Sequence, residues 1–505
     1  MKSRSVLSVA AAALLALGGC ASKSVELAPP AAPALKSVAE KKELRGVWVT
    51  NVDSDVLTSK RKIAEGMEAL SKAGINVVYP VVWNKAQTLY PSPAAASVTG
   101  TIIDPLYGDR DPLEELRVEA HARGIEVIPW FEFGFATSYN LGGGVILKNR
   151  PHWAALDQEG KLAKKNNFEW MNAFDPEVQE FMASLVLEVA ERYDVDGIQG
   201  DDRMPALPSL AGYDEATKAR YKKETGKDAP ADVKEEHWVR WRANILTEWL
   251  ASLRGRVKAI DENLIISMSP SYYDWALYEY LQDSYTWTNK GLVDSIHPQA
   301  YRYDLEAYKK IVDNLVAKQF TPEQLALLSP GLLIKSGTYR IPNDYFLDAI
   351  AYNREKGVNG EVHFFYTGLR EKNDELLGLL ASGPYREPAS LPYRTQSWRP
   401  GVITFELLGT AGDVTTYGIA APVEATYDVY VRVPEGSTTK AVTFALTGEE
   451  GTRTVTPGVE ADWGWLPVGR AELGQGEAAT VTATGATGEV MMLLNRKLSP
   501  KTIVP

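Results

Sequence analysis

The stretch "VDGIQGDDRMP", residues 195–205, passes from an apolar, strand-forming run into two adjacent carboxylates, Asp201 and Asp202. Just before it, "EVQEFMASLVLEVAERY" (177–193) spaces its apolar residues three and four apart, the period of a helix packed on one face. A helix feeding a short β-run that ends in charge is part of a βα repeat, and the repeat recurs. Similar runs stand at "LRGVWVTN" (44–51), "INVVYPVVW" (75–83), "IEVIPWFEF" (125–133), "LIISMSP" (264–270), "VDSIHPQAY" (293–301), "LALLSPGLLI" (325–334) and "GEVHFFY" (360–366), making eight with 195–201.

Between most of them lies a helix-like segment. "KIAEGMEALSKAG" ends in Gly74 and "PLEELRVEAHARG" in Gly124, each placed to close a helix in the left-handed conformation. From Val233 to Val257, Trp238, Trp241, Ile245 and Trp249 share one face, which reads as core. Eight alternating units imply an α/β fold, a parallel (β/α)8 TIM barrel. The alternative, an open doubly wound sheet, lacks both a G-x-G-x-x-G turn after the first strand and a phosphate-binding G-x-x-x-x-G-K-[ST] loop.

In such a barrel the chemistry sits beyond the C-terminal ends of the strands. Those positions hold Trp83, Asn84 and Gln87 after strand two, Glu132 after strand three, and Asp201 and Asp202 after strand four. His297, Gln299 and Tyr301 follow strand six, and His363 and Tyr366 strand eight. Alternation lets His297, Gln299 and Tyr301 share one face of their strand, as do Trp130 and Glu132 on theirs. Paired carboxylates suit glycosidic cleavage, where one carboxyl donates a proton to the leaving oxygen and a charged group steadies the oxocarbenium-like centre. Each charge raises the pKa of its neighbour. The same spacing also suits a plainer role, a turn or helix cap or an ion pair with Arg203.

The five histidines form no H-x-x-x-H or H-E-x-x-H pair, so no zinc site is expected, and no cofactor is called for; calcium or magnesium on the paired aspartates stays open. No G-x-S-x-G elbow supports an acyl-transfer serine. A formal charge of -11 without a basic stripe excludes nucleic acid as partner.

Residues 1–20, "MKSRSVLSVAAAALLALGGC", have a basic start, a short apolar run and a single cysteine. Leu17-Gly18-Gly19-Cys20 resembles a bacterial lipobox, which implies cleavage before Cys20 and lipidation of its thiol, hence a membrane anchor rather than a span. Ala21 in place of Asp resembles the outer-membrane sorting signal, so the expected location is the cell envelope, lipid-anchored in the outer membrane. Residues 21–42, rich in Ala and Pro, read as a tether.

"ELRGVWVTN", "INVVYPVVWNKAQTLYPS", "GIEVIPWFEFGF", "VDGIQGDD" and "VDSIHPQAY" occur in the order and spacing of the glycosyl-hydrolase-like family 10 domains, and the chain resembles that family over residues 43–382. The resemblance implies a bacterial envelope glycosidase acting on an amino-sugar glycan, peptidoglycan strands or another N-acetylhexosamine polysaccharide. Its most specific element, D-G-I-x-x-D-D, maps to Asp196, Gly197, Ile198, Asp201 and Asp202. By analogy with hexosaminidases that use adjacent carboxylates, the resemblance implies Asp202 as the general acid/base and Asp201 as the acetamide-orienting or electrostatic partner, with Glu132 as the alternative second carboxylate. Trp83, Asn84, His297, Gln299, Tyr301, His363 and Tyr366 are the expected substrate contacts. Gly200 stands where family members often carry an aromatic, and Glu132 where many carry Asn.

Residues 383–400 read as a Pro- and Arg-bearing linker. Residues 401–505 alternate as "VITFELLG", "ATYDVYVRVP", "AVTFALTG", "AATVTATGA" and "EVMMLLN", a small all-β sandwich resembling golvesin-type accessory modules. Trp463 and Trp465 are candidates for stacking on sugar, although a strand position suits Trp465 to packing. Two further readings compete with a glycosidase: a catalytically silent carbohydrate-binding scaffold lipoprotein, and a metal-dependent deacetylase, for which the rim offers no histidine set.

Overall fold

The computed structural model describes residues 30, 32–34, 39–395, 398–448, 451–457 and 464–499. The signal segment with Cys20, most of the tether and Trp463 lie outside the described residues.

Eight parallel strands form the first domain: Leu44–Val49 (β1), Val77–Pro80 (β2), Glu126–Val127 (β3), Gly197–Gly200 (β4), Ile265–Met268 (β5), Ser295–Ile296 (β6), Gly331–Leu333 (β7) and Gly360–Phe364 (β8). They make two ladders, β7-β8-β1-β2-β3 and β4-β5-β6. Backbone bonds just beyond the regular strands join them. Gln199 N donates to Pro129 O at 2.8 Å and Phe131 N to Gln199 O at 2.9 Å; on the other side, Ser329 N donates to Ile296 O at 3.0 Å and Gly331 N to Pro298 O at 2.9 Å. The ring is thereby closed, and the expected barrel is the one found. Every residue of β1, β2, β4 and β5 is buried, as in parallel sheets covered on both faces.

The surrounding helices are Lys60–Lys72 (α1), Pro112–Ala122 (α2), Pro176–Arg192 (α3), Glu236–Ile260 (α4), the short Trp275–Tyr280 (α5), Leu305–Lys318 (α6), Asn343–Glu355 (α7) and the interrupted Tyr366–Ser382 (α8). Their starts follow from local chemistry. Ser59, Asp111 and Asp175 accept from the backbone of Lys62, Glu114 and Glu177, and Pro112 and Pro176 occupy first-turn positions that need no donor. Gly74 and Gly124 take φ values of +81° and +75° directly after α1 and α2, as their places in the sequence imply. Trp238 and Trp249 are buried in α4, and Trp241 stacks on Trp238 at 5.4 Å.

The second domain has two antiparallel sheets. Its strands are Ile403–Thr404 (β9), Glu406–Ala411 (β10), Val414–Ala420 (β11), Ala425–Arg432 (β12), Val442–Leu446 (β13), Thr452–Val455 (β14), Leu466–Leu473 (β15), Ala478–Thr484 (β16) and Glu489–Leu494 (β17), ordered β9-β17-β12-β15 and β10-β11-β16-β13-β14. Tyr427, Val429, Val431, Phe444, Val481 and Met492 fill the space between. On β17, Met491 and Leu493 face the other way and pack with Tyr430 against Val118 of α2. That second buried face explains why "VMMLL" is apolar without alternation.

The segment expected to be a linker is packed against the barrel instead. Tyr385, Leu391, Arg394, Trp398 and Arg399 are buried, and Ser390 pairs with the backbone of Lys41 and Glu43. Arg394 grips Glu126 at the start of β3 through two bonds of 2.9 Å. Arg399 donates to Asp196 at 2.7 Å and to Asp194 at 2.8 Å, while Trp398 Nε1 donates to the same Asp196 oxygen at 2.7 Å. His121 and the backbone N–H of Val127 engage the other oxygen of Asp196. Burial works to raise the Asp196 carboxyl, but Arg399 and then His121 outweigh it and hold it below the usual carboxylate range. The first aspartate of the D-G-I-x-x-D-D motif is thus a structural anchor, roughly 16 Å along the strand from Asp201 at about 3.3 Å per residue. Trp465 is half-buried with Arg432 over its ring at 4.4 Å, packed at the same interface.

Candidate active site

At the opposite end of β4 the chain bends back. Met204 N donates to Asp201 O, and Arg203 returns between the carboxylates that precede it. Arg203 Nη2 donates to Asp201 Oδ2 at 2.7 Å, and Nη1 lies 3.0 Å from Asp202 Oδ1. Arg203 Nε donates to the backbone oxygen of Glu132 at 2.9 Å, with the Glu132 carboxylate 3.7 Å away. The face of Phe168 covers the guanidinium at 4.6 Å. Two adjacent like charges are tolerated because one cation sits between them.

The three acids differ in their surroundings. Asp201 has only 1% of its side chain exposed and also accepts from Gln299 Nε2 at 2.9 Å and Ser269 Oγ at 3.3 Å. Burial, and next the charge of Asp202, push its carboxyl upward, against the pull of Arg203. Asp202 keeps 23% of its side chain exposed. Glu132 accepts from Asn84 Nδ2 at 2.8 Å, and Asn84 is itself steadied by Asn51 at 2.9 Å. Burial raises Glu132 to about 7; Arg203 opposes the rise and Asp202 adds to it.

Close backbone contacts hold this cluster. The turn at residues 131–135 lies on Arg203, with Phe135 N donating to Arg203 O at 2.9 Å. Gly134 has φ +47°, and a Cβ there would stand 2.2 Å from Arg203 O. Gly134→Ala is therefore expected to cost about 2 kcal/mol and to displace Arg203, seen as a lower denaturation midpoint together with slower turnover. An unchanged midpoint would contradict the close approach. Gly200 is constrained likewise: a Cβ would meet Met204 O at 2.4 Å, so this chain has no room for an aromatic at that position.

Below the carboxylates lies an aromatic floor. Tyr301 packs 4.9 Å from Phe364 and edge-on to Trp48 at 6.4 Å, and Trp48 lies 6.3 Å from Trp130. Trp48 Nε1 donates to Gln199 Oε1 at 2.7 Å, fixing the ring. Burial and then the negative charges of Asp201, Asp202 and Glu132 hold the Tyr301 hydroxyl far above its ordinary range. An acid–base cluster over aromatic rings at the C-terminal mouth of a barrel is the setting of a sugar-cleaving site.

The model of the family described as glycosyl hydrolase-like 10 matches residues 43–349. The chain belongs to this family. The glycosyl hydrolase DigH of Escherichia coli K12 is 28% identical over 354 residues, covering 58% of this chain and 76% of the relative. The PgaB (BpsB) glycoside hydrolase domain of Bordetella bronchiseptica superposes with a TM-score of 0.52 at 13% identity, covering 67% of this chain and 99% of that one, and so shares its fold. This member of the glycosyl hydrolase-like 10 family is a glycosidase.

Within the family barrel, Asp201, Asp202, Glu132, Asn84, Gln299 and Tyr301 come together around Arg203. Four expected substrate contacts are placed elsewhere. Trp83 is buried outside the barrel, its Nε1 on Gly134 O and its ring against Phe181 of α3. His297 does face inward, but a layer deeper: Tyr79 and Ser329 O engage its two nitrogens, and burial lowers it to about 3. His363 points out toward Phe346 of α7 and Tyr385, and burial lowers it to about 4. Tyr366 packs toward α1, where a Cβ on Gly66 would touch its hydroxyl at 2.7 Å. Phe364 is the β8 side chain that reaches the site.

Sequence reasoning missed Trp48, Asn51, Phe168, Ser269 and Phe364, and met Arg203 only as a possible ion-pair partner. The opposite charge adjoining the carboxylate pair was the available signal for Arg203.

The raised pKa of Glu132 has a stability consequence. Between about pH 4.5 and pH 7 the folded chain keeps a proton that the unfolded chain releases, so this group's contribution falls as pH rises through that window and is flat above it. Glu132→Gln removes the dependence. Wild type is expected to lose up to about 3 kcal/mol relative to the Gln variant between pH 4.5 and pH 8, read from urea midpoints across that range. Parallel pH curves for the two proteins would exclude a proton on Glu132 near neutrality.

Proposed function

We propose that this glycosidase cuts O-glycosidic bonds in an amino-sugar glycan, either peptidoglycan strands or another N-acetylhexosamine polysaccharide. The observation that carries this reading is the division between two adjacent aspartates on one arginine, Asp201 buried and held on both oxygens, Asp202 within reach of solvent. A carboxylate fixed in that way suits orienting an acetamide, so that the acetamide oxygen attacks the anomeric carbon. A neighbour facing the cleft suits giving its proton to the leaving oxygen as that bond breaks, then taking one from the incoming water. Glu132, raised to about 7, is the alternative proton donor. Asn84, which holds Glu132 through its Nδ2, keeps its buried Oδ1 without a hydrogen-bond partner among the described residues.

The leader and Cys20 support an envelope protein held by lipid in the outer membrane, placing the barrel beside cell-wall glycan or glycan outside the cell. The experiment is product release by the chain lacking residues 1–20 from peptide-free glycan strands and from aryl 2-acetamido sugars, with Asp202→Asn run in parallel. Products from wild type alone support the reading. Retention of glycan without any product from any substrate would overturn it.

A further inference from the structure

Single apolar side chains in solvent are ordinary on a folded protein, but exposed ones gathered into a patch mark a place where a partner or ligand is received. Among the described residues, the exposed large aromatics are Tyr139, Trp275, Tyr285 and Tyr303. All four lie on segments that follow β3, β5 or β6, on the rim that carries the carboxylates. Trp275 is 38% exposed and Tyr303 66%.

Contacts connect Tyr139 and Trp275 to the acid cluster from two sides. On the β3 side, Tyr139 packs against Phe168 at 5.2 Å, and Phe168 is the ring beneath Arg203. On the β5 side, Trp275 of α5 lies 5.7 Å from Tyr280, whose hydroxyl is in the field of Asp202 and Arg203. Trp275 also stacks on Tyr272 at 5.7 Å and 20°, and Arg302 covers Tyr272 at 5.0 Å. Arg302 follows Tyr301 directly, and Tyr303 then stands edge-on to Tyr339 at 4.9 Å. The loops are tied together as well. Lys165 and Lys234 both pair with Glu279, and Asn166 donates to the Tyr280 hydroxyl at 2.7 Å. These rings are therefore held in place before any ligand arrives, which lowers the ordering cost of binding.

We propose that Trp275, supported by Tyr272, and Tyr303 form sugar-binding subsites beyond the bond that is cut, so that the rim takes a run of several sugar rings lying across the carboxylates. The C–H face of a pyranose is apolar and of ring size, and an indole presents the largest flat apolar face a side chain can offer. The class of ligand rests on the proposed glycan-cleaving function; the existence of the subsites does not rest on which carboxylate is the acid.

The test is calorimetric titration of the Asp202→Asn protein with N-acetylglucosamine oligomers of two to six sugars. Affinity is expected to rise with length. Adding Trp275→Ala is expected to weaken the six-sugar ligand by about tenfold or more and the two-sugar ligand far less, tenfold corresponding to about 1.4 kcal/mol. Trp275→Phe should restore part of the loss, and Tyr303→Ala should show the same length dependence more weakly. Equal affinity at all lengths, or no effect of Trp275→Ala on the longest oligomer, would overturn the proposal. Incubating wild type with the same oligomers reads the cleavage reaction separately. Length-dependent binding without products counts against the glycosidic reading and for the subsites, whereas products with length-independent binding do the reverse.

Discussion

Asp202→Asn is expected to lower turnover on amino-sugar glycan by about 10²–10⁴-fold while glycan is still bound. The Asn side chain keeps the size and one oxygen of the carboxylate and removes only the transferable proton and the charge. Arg203 retains Asp201 and the Glu132 backbone as partners, so the loop should stay folded. Glu132→Gln separates the two possible acids. If Glu132 donated the proton, activity would fall as pH rises through about 7, and the Gln variant would lose both the activity and that limb. With Asp202 as the acid, Glu132→Gln leaves most of the rate. Full activity of Asp202→Asn on polymeric glycan would remove Asp202 from the chemistry.

The second large effect lies at the other end of the same strand. Arg399→Ala is expected to destabilise the protein by about 3–5 kcal/mol, because Asp194 and Asp196 would remain buried without the guanidinium between them. Typical domains hold only roughly 5–15 kcal/mol in total, so the urea midpoint should fall sharply. Trp398, enclosed by Arg394 at 4.1 Å and Arg496 at 4.8 Å, ties the same joint to the last strand of the sandwich. The sandwich should accordingly unfold with the barrel in a single transition. Two separated transitions, or an Arg399→Ala midpoint equal to wild type, would show that the buried ion pairs contribute little.

Much of the site was legible because β-alternation survives at the rim. Gln299 and Tyr301 fall on the inward face with His297, and Glu132 with Trp130, as period two requires. What alternation does not give is depth. His297 shares the face of Gln299 but sits one layer further down, where Tyr79 closes over it. Nor does it tell inside from outside in a strand buried on both faces. Glu361 and His363 of β8 point toward the helices, where Arg354 and Tyr385 receive them, and only Phe364 reaches the cleft.

The sequence by itself determined the alternation of strands and helices, the end of the barrel at which polar groups collect, and the adjacency of Asp201 and Asp202. Each of these follows from local spacing, helical or extended, which the chain carries within a few residues. Only the tertiary structure decided that Arg203 folds back between the aspartates, that Asn84 comes to Glu132, and that Asp196 anchors a segment two hundred residues later. Those pairings depend on how ring closure staggers neighbouring strands and on where buried charge finds its partner. Neither is written in the spacing of a single strand.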